Sequence, residues 1–418
     1  MDKVLYFVNS ICKPIEGNTV QVTLFSTDSE NEQKSIVIEV DRERLTMSNH
    51  TGEIREGWFV YYNEGGQFLF SYGNFSPYAR KQFRLLIELR EQLTQRYIDG
   101  EAAMESIPSL FNNQTGVKVT SYHVNVGHGN CSIILIQANE FYNIWMVDCS
   151  VKDMGNWHDH TNNLQACFND IARKLKLKGD AILHIDRFFL THTHFDHFNG
   201  MEYLIDNGHI DSSTLCYMNL YYHWAGATYL RIWGKLKNAN VKFVEPISAN
   251  SNRLSSFFHP ECRLYRSFPT VVNPPSQYRI VNNPVNDSST VIMFNIGGHS
   301  MVFTGDLEQK GFKSMTNSAM CSPALFYSNY YTISHHGSIN GHPDISCMNP
   351  TRPKPSPLCC ITKRLSKAIL MGRDQAFNDI YSPMVVSYWS GLPGVLEITE
   401  KAPHYLELDW DSGKVSYH

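Results

Sequence analysis

Thr191-His192-Thr193-His194-Phe195-Asp196-His197 sets three imidazoles and a carboxylate within a few residues, in the order His-x-His-x-Asp-His. Neutral imidazole and carboxylate are the donors that zinc and its divalent neighbours prefer. Successive side chains alternate along an extended backbone, so His192 and His194 can face one ion. Asp196 and His197 follow at a turn and can face a second. A polar loop rich in histidine by chance is a poor account, because only 18 of the 418 residues are histidine.

Such a cluster needs a strand to deliver it and a helix to carry it away. Upstream, residues 181–183 and 187–190 read as an apolar strand; downstream, residues 198–204 read as the start of a helix. From about residue 117 onward, strands and helices alternate. Residues 131–135 and 144–148 suit strands, 164–177 and 228–238 suit helices, and 241–244 suits a strand. A hairpin over 290–294 and 300–304 precedes a helix after Asp306 and a strand running into His335. Late strands are expected at 358–361, 394–399 and 405–410. The first seventy residues differ. Five short strand candidates (4–8, 20–25, 35–40, 58–62 and 68–70) are separated by turn clusters such as Glu16-Gly17-Asn18. They suggest a small SH3-like or OB-like barrel, which serves as a docking or dimerisation module or binds a partner. Ser76 as N-cap and Pro77 as first residue start a helix, with Phe83, Leu86, Leu89, Leu93 and Tyr97 as its packing stripe and Gly100 as its stop. The organisation read from the chain is a small all-β domain at 1–75, a helical linker at 76–116 and an alternating α/β domain at 117–418 that carries the histidine cluster.

The His-x-His-x-Asp-His order resembles the signature of the metallo-β-lactamase superfamily, and four further segments resemble the soluble domain of ComEC-type competence proteins. They are residues 125–135 (Asn-Val-Gly-His-Gly-Asn at their start), 144–150 (ending Val-Asp-Cys-Ser), 301–306 (ending Thr-Gly-Asp) and 331–338 (ending His-His-Gly-Ser). The resemblance covers residues from about 120 to 340. It implies an αββα sandwich of two mixed sheets with helices outside. Carried over residue by residue, it implies that His192 and His194 bind the first ion, Asp196 and His197 the second, and that Asp306 bridges them. One of His335 and His336 completes the second ion's shell, with His335 favoured because it directly follows its strand. Asp148 supports the histidine loop from behind. The superfamily's third histidine motif has no counterpart between Gly200 and Asp306; Asn286-Asp287-Ser288 stands in its place. The first site is therefore weak, completed by Asp287 or a water, or empty in isolation. His209, His223, His259 and His299 are isolated and read as surface or core residues. Zn2+, as one or two ions, is the expected metal, with Mn2+ alongside it because imidazoles are fewer.

Two ions held about 3.5–4 Å apart can share a hydroxide and clamp a phosphoryl oxygen. The resemblance thus implies a metal-dependent phosphodiesterase, foremost a nuclease, in which His336 or Ser338 meets the phosphate or assists the leaving group. Stand-alone relatives near bacterial antiviral systems extend the reading to defence. The alternatives are a small-molecule phosphodiesterase acting on a nucleotide messenger or phosphocholine ester, and a binding or scaffold protein with a structural metal. The short interval between Asp306 and His335 excludes the inserted domain of the β-CASP RNA-processing nucleases. The net charge of −4 gives no global basic field. A basic strip from Arg352 through Lys363, Arg364 and Lys367 to Arg373 reads equally as a solvated face or as a track for a nucleic-acid backbone. Ten scattered cysteines without a CxxC pair, no signal-like N-terminus and no apolar run of about 20 residues suit a cytoplasmic protein that does not enter a membrane.

Overall fold

The structure, a computed structural model, describes residues 4–12, 18–27, 35–47, 52–63, 66–70, 76–98, 116–139, 141–153, 157–179, 181–218, 220, 224–244, 255–259, 262–266, 285–317, 327–343, 357–372 and 382–418. Five N-terminal strands, β1 (Val4–Cys12), β2 (Thr19–Ser26), β3 (Ser35–Asp41), β4 (Phe59–Tyr62) and β5 (Phe68–Phe70), form one antiparallel sheet in the order β3-β2-β1-β4-β5. One face closes over Val8, Val20, Val22, Leu24, Trp58 and Phe68. The other face, with Leu5, Phe7, Phe25 and Phe59, packs into the core of the rest of the chain. Helix α1 (Pro77–Thr94) starts as its sequence dictates, with Ser76 Oγ accepting from Ala79 N at 3.0 Å. Its stripe of Phe83, Leu86, Leu89 and Leu93 is buried. Tyr97, expected to extend that stripe, instead enters the short strand β6 (Tyr97–Ile98). The expected stop at Gly100 lies outside the described residues.

The remainder is two mixed sheets face to face. The first contains β6, β7 (Lys118–Val124), β8 (Cys131–Ala138), β9 (Phe141–Cys149), β10 (Arg187–Phe189), β11 (Leu215–Tyr217) and β12 (Lys242–Val244), and is completed by β20 (Tyr405–Asp409) and β21 (Val415–Tyr417). The second holds, in chain order, β13 (Ser255–His259), β14 (Cys262–Arg266), β15 (Thr290–Ile296), β16 (His299–Phe303), β17 (Tyr330–Thr332), β18 (Lys367–Leu370) and β19 (Leu396–Ile398). Ile134, Trp145 and Phe189 of the first sheet meet Phe294, Met301, Phe303 and Ile369 of the second in a shared apolar layer. Trp145 and Phe294 lie 5.1 Å apart between ring centroids, edge to face.

Helices α1, α2 (Thr161–Lys174), α3 (Phe195–Phe198), α4 (Met201–Asp206) and α5 (Ala227–Asn238) cover the outer face of the first sheet, where the histidine-bearing turn and the N-terminal sheet share one core. The outer face of the second sheet is covered by α6 (Gln309–Asn317), α7 (Pro357–Thr362) and α8 (Pro383–Ser390). This is the expected αββα sandwich with an N-terminal β domain. Residues 358–361, expected as a strand, are helical: Pro357 sits at the helix start and Thr362 Oγ1 donates to Leu358 O at 3.0 Å. A four-residue apolar run has no period that separates a strand from a buried helix. Among the described residues no helix is long and apolar enough to cross a membrane.

Candidate metal centre

Sheet register brings the cluster together. β9 and β10 run parallel with Val147 beside Phe189, so Asp148 at the end of β9 stands next to the turn that follows β10. Its carboxylate accepts from Thr191 N at 2.8 Å and from Thr191 Oγ1 at 2.8 Å, which pins the start of the histidine segment. His192 to His194 then continue extended until α3 begins at Phe195. In the second sheet β16 and β17 run parallel with Val302 beside Tyr331, so the segment ending in Asp306 lies against the segment ending in His335 and His336. The two sheets meet at Gly305. A Cβ there would lie 2.7 Å from Thr191 Cβ, and φ is +53°, so only glycine lets this strand end approach the histidine loop.

Two groups of ligand atoms result, each within 4.8 Å: Asp196, His197, Asp306 and His336 in one, and His192, His194 and Asp306 in the other. Asp306 belongs to both. In the first group His336 Nε2 lies 3.1 Å from Asp196 Oδ2 and 3.4 Å from Asp306 Oδ2, and His197 Nε2 lies 3.3 Å from Asp306 Oδ1. His192 Nε2 is 3.9 Å from Asp306 Oδ2. Two donors about 2.0–2.1 Å from one zinc at tetrahedral angles stand about 3.4 Å apart, and these separations bracket that value. The atoms concerned are left over in the protein's own bonding: His192 Nε2, His197 Nε2, Asp196 Oδ1 and Asp306 Oδ1 are buried without hydrogen-bond partners. Several orphaned acceptors converging at one point is what a divalent cation resolves, so the residues present fit such an ion.

The other ring nitrogens are spoken for, and this sets the tautomers. His197 Nδ1–H donates to Asp148 Oδ2 at 2.8 Å. Thr191 Oγ1, donating to the same carboxylate, can accept from His192 Nδ1–H at 3.1 Å. His336 Nδ1–H faces Met371 O at 3.3 Å. Each contact leaves Nε2 as a lone pair aimed into the cluster, the arrangement metal-binding histidines use. Burial alone would push Asp196 and Asp306 up, but the surrounding imidazoles outweigh it and hold both carboxyls well below the usual carboxylate range. Burial drives His192 well below its ordinary value, keeping it neutral. At His197 and His336 the carboxylates of Asp306 and Asp196 outweigh burial and raise both, His336 to about 9, so an ion binding there displaces a proton. Asp148, unlike Asp196 and Asp306, is raised by burial and only partly offset by His197.

The structure separates the two histidines between which the sequence left a choice. His336, in a left-handed backbone conformation at φ +50°, joins the four-residue group. His335, also at φ +50°, stands aside, its Nε2 3.3 Å from Asn286 Nδ2 and 3.9 Å from Asp306 Oδ2, and burial lowers it to about 4. Ser338 turns into its own loop, its Oγ accepting from Asn340 N at 3.2 Å. Asp287 does not join either group; its carboxylate accepts from Gly311 N at 2.7 Å at the start of α6. His209 is a core residue, its Nδ1 2.8 Å from Leu183 O, and His299 pairs at the surface with Asp411 at 3.6 Å. His223 and the side chain of His259 lie outside the described residues. So do Arg352, Lys354 and Arg373 of the basic strip; its Lys367 is paired with Glu397 at 2.6 Å.

Two residues enter the site unannounced. His128 Nε2 stands 3.2 Å from Asp196 Oδ2, and its ring lies 4.4 Å from that of His336. The only sequence sign was a histidine inside the Asn-Val-Gly-His-Gly-Asn segment. Glu56, from the N-terminal domain, puts Oε2 3.6 Å from His194 Nε2, and nothing in the sequence near it points to the cluster.

Neither a protein-family model nor a curated protein matches the sequence. Among solved structures, the chain is similar to a metallo-β-lactamase fold protein, YhfI, from Bacillus subtilis, at 12% identity and a TM-score of 0.38, over 70% of this chain and 99% of that one. It is similar to the short form of human tRNase Z at 15% identity and a TM-score of 0.31, over 62% and 93%. It is similar to a diphosphatase of the PhnP family at 11% identity and a TM-score of 0.34, over 72% and 100%. At these levels the site is assigned from this chain's own geometry.

Proposed function

We propose that this chain is a metal-dependent hydrolase of the metallo-β-lactamase superfamily that cleaves phosphodiesters, with nucleic acid as the foremost substrate class. The observation that carries the reading is Asp306, shared by two converging groups of orphaned donors. His192, His194 and Asp306 would hold one ion; Asp196, His197, Asp306 and His336 would hold the other. Ions so placed supply an activated water and neutralise the charge that develops on a phosphoryl group.

The chain's own residues do the remaining work. Asp148 and Met371 O hold the imidazoles in the tautomer that points Nε2 inward. His128 supports Asp196, its Nε2 3.2 Å from Oδ2. His335, like His128, is an imidazole of the site outside both ligand groups, and its Nδ1 is buried without a hydrogen-bond partner. Held neutral by burial, His335 is assigned to meet the phosphate by hydrogen bonding, with Glu308 Oε1 3.5 Å from its Nδ1. Zn2+ and Mn2+ both suit the mixed imidazole and carboxylate set.

The test is turnover on single- and double-stranded DNA, RNA, cyclic dinucleotides and bis(p-nitrophenyl) phosphate with Zn2+ or Mn2+. The expected result is phosphodiester cleavage that Asp306→Ala abolishes along with both bound ions, and little activity on β-lactams or thioesters. Robust thioesterase or lactamase activity without phosphodiester turnover overturns the assignment. Preference for cyclic dinucleotides over polymers would move the substrate class to small phosphodiesters.

A further inference from the structure

His192 and His197 both have a ring nitrogen tied back to Asp148, directly or through Thr191. Among the described residues of the sandwich no such partner faces His194. Its Nε2 is buried without a hydrogen bond, and the group facing it at 3.6 Å is the Glu56 carboxylate from the turn before β4. This carboxylate is aimed. Its Oε1 accepts from Ile11 N at 2.9 Å, which leaves Oε2 toward His194. Glu56 keeps only 16% of its side chain exposed and His194 only 4%, so the charge sits in a poorly solvated place. Burial raises the carboxyl, but His194 and the amides of Ile11 and Val285 together bring it below its ordinary value.

The N-terminal domain makes two further contacts around His194. Phe7 of β1 meets Trp224 edge to face at 5.2 Å, and Trp224 in turn lies 5.6 Å from the His194 ring. Phe25 of β2 packs edge to face on Phe195, the residue after His194, at 5.2 Å. Among the described residues the first ion site has three protein donors, one fewer than the second, so the orientation of each of its imidazoles matters more.

We propose that Glu56 is the positioning carboxylate of the first ion site, backing His194 as Asp148 backs His197, and that the N-terminal domain is therefore a working part of the metal centre. This rests on the metal-hydrolase reading above. With Nε2–H directed at Glu56, the His194 Nδ1 lone pair is the one offered to the ion. At 3.6 Å the contact is longer than a formed hydrogen bond; the carboxylate acts first by its charge, favouring the Nε2–H tautomer. Outer carboxylates of this kind contribute about 10–100-fold to metal affinity.

The experiment is a competitive titration of the full chain with Zn2+ and with Co2+, comparing wild type, Glu56→Gln and Glu56→Asp, with near-ultraviolet circular dichroism to confirm the fold. Wild type should bind two equivalents. Glu56→Gln, which keeps the shape and loses the charge, should weaken one equivalent about 10–100-fold and leave the other unchanged. Its Co2+ absorption should change for that equivalent alone. Glu56→Asp should lie between the two, and decides the matter if the glutamine variant does not fold. Two equivalents with wild-type affinity in a folded Glu56 variant overturn the proposal and leave the hydrolase reading standing. Wild type without bound metal overturns both.

Discussion

Asp148→Asn replaces one carboxylate oxygen by an amide nitrogen and should weaken both ion sites. The Asp148 carboxylate receives three donors, Thr191 N at Oδ1 and Thr191 Oγ1 and His197 Nδ1 at Oδ2, each at 2.8 Å. Asparagine has one oxygen to offer. The backbone N–H of Thr191 can only donate, so the amide oxygen must stay at the Oδ1 position and the NH2 group must face His197. His197 then accepts at Nδ1 and carries its proton on Nε2, the atom that should bind the ion. Thr191 Oγ1 meets the same NH2, rotates to accept from it, and becomes a donor to His192 Nδ1, which pushes His192 toward the same wrong tautomer. Returning each proton costs a hydrogen bond, about 1–3 kcal/mol in a buried place. That matches the 10–100-fold loss of metal affinity usual when an outer partner of a ligand is removed. The measurement is a chelator-competition titration with Zn2+ at fixed pH, alongside 15N spectra of the histidine rings. The expected result is weaker binding at the His197 site, a smaller loss at the His192 site, and a ring signal for His197 with Nε2 protonated. An Asp148→Asn protein that folds, binds two ions as tightly as wild type and keeps Nδ1 protonated would refute the reasoning.

Gly372 holds φ +73°, and a Cβ on it would overlap His336 Nδ1 and the backbone of Gly129. Gly372→Ala should therefore cost at least the ~1–2 kcal/mol of a left-handed alanine and loosen the His336 site, seen as a lower melting temperature and weaker binding of one ion. His123 is buried between Ser121 Oγ at 3.1 Å and Ser132 Oγ at 3.0 Å, and burial lowers it to about 3. A depressed histidine binds more protons unfolded than folded, so its contribution is whole above about pH 6.5 and is lost as the pH falls toward 3, by at most about 1.4 kcal/mol per pH unit. Urea unfolding across that range should show this acid loss in wild type, and His123→Gln should flatten it; an unchanged slope would place the acid sensitivity elsewhere.

The histidine cluster was legible because its spacing is local. Strand, extended turn and short helix follow one another in the chain, and alternation is enough to pair His192 with His194. The apolar strands and the N-cap at Ser76 were legible for the same reason, since period and capping are properties of neighbours. What distance decides was not. His335 and His336 are adjacent and chemically alike. What separates them is their partners: the carbonyl of Met371, just after β18, faces Nδ1 of His336, while His335 lies beside Asn286. Asp287 looked available to a metal until the start of α6 folded against its carboxylate. Residues 358–361 are too short a run to show a period; they are helical, with Leu358, Cys360 and Ile361 in the core outside the second sheet. His128 and Glu56 reach the site from a loop after β7 and from a separate sheet. The sequence by itself determined which residue types could hold an ion; the tertiary structure decided which side chains face it and through which atom, because a ligand's orientation is set by partners far away in the chain.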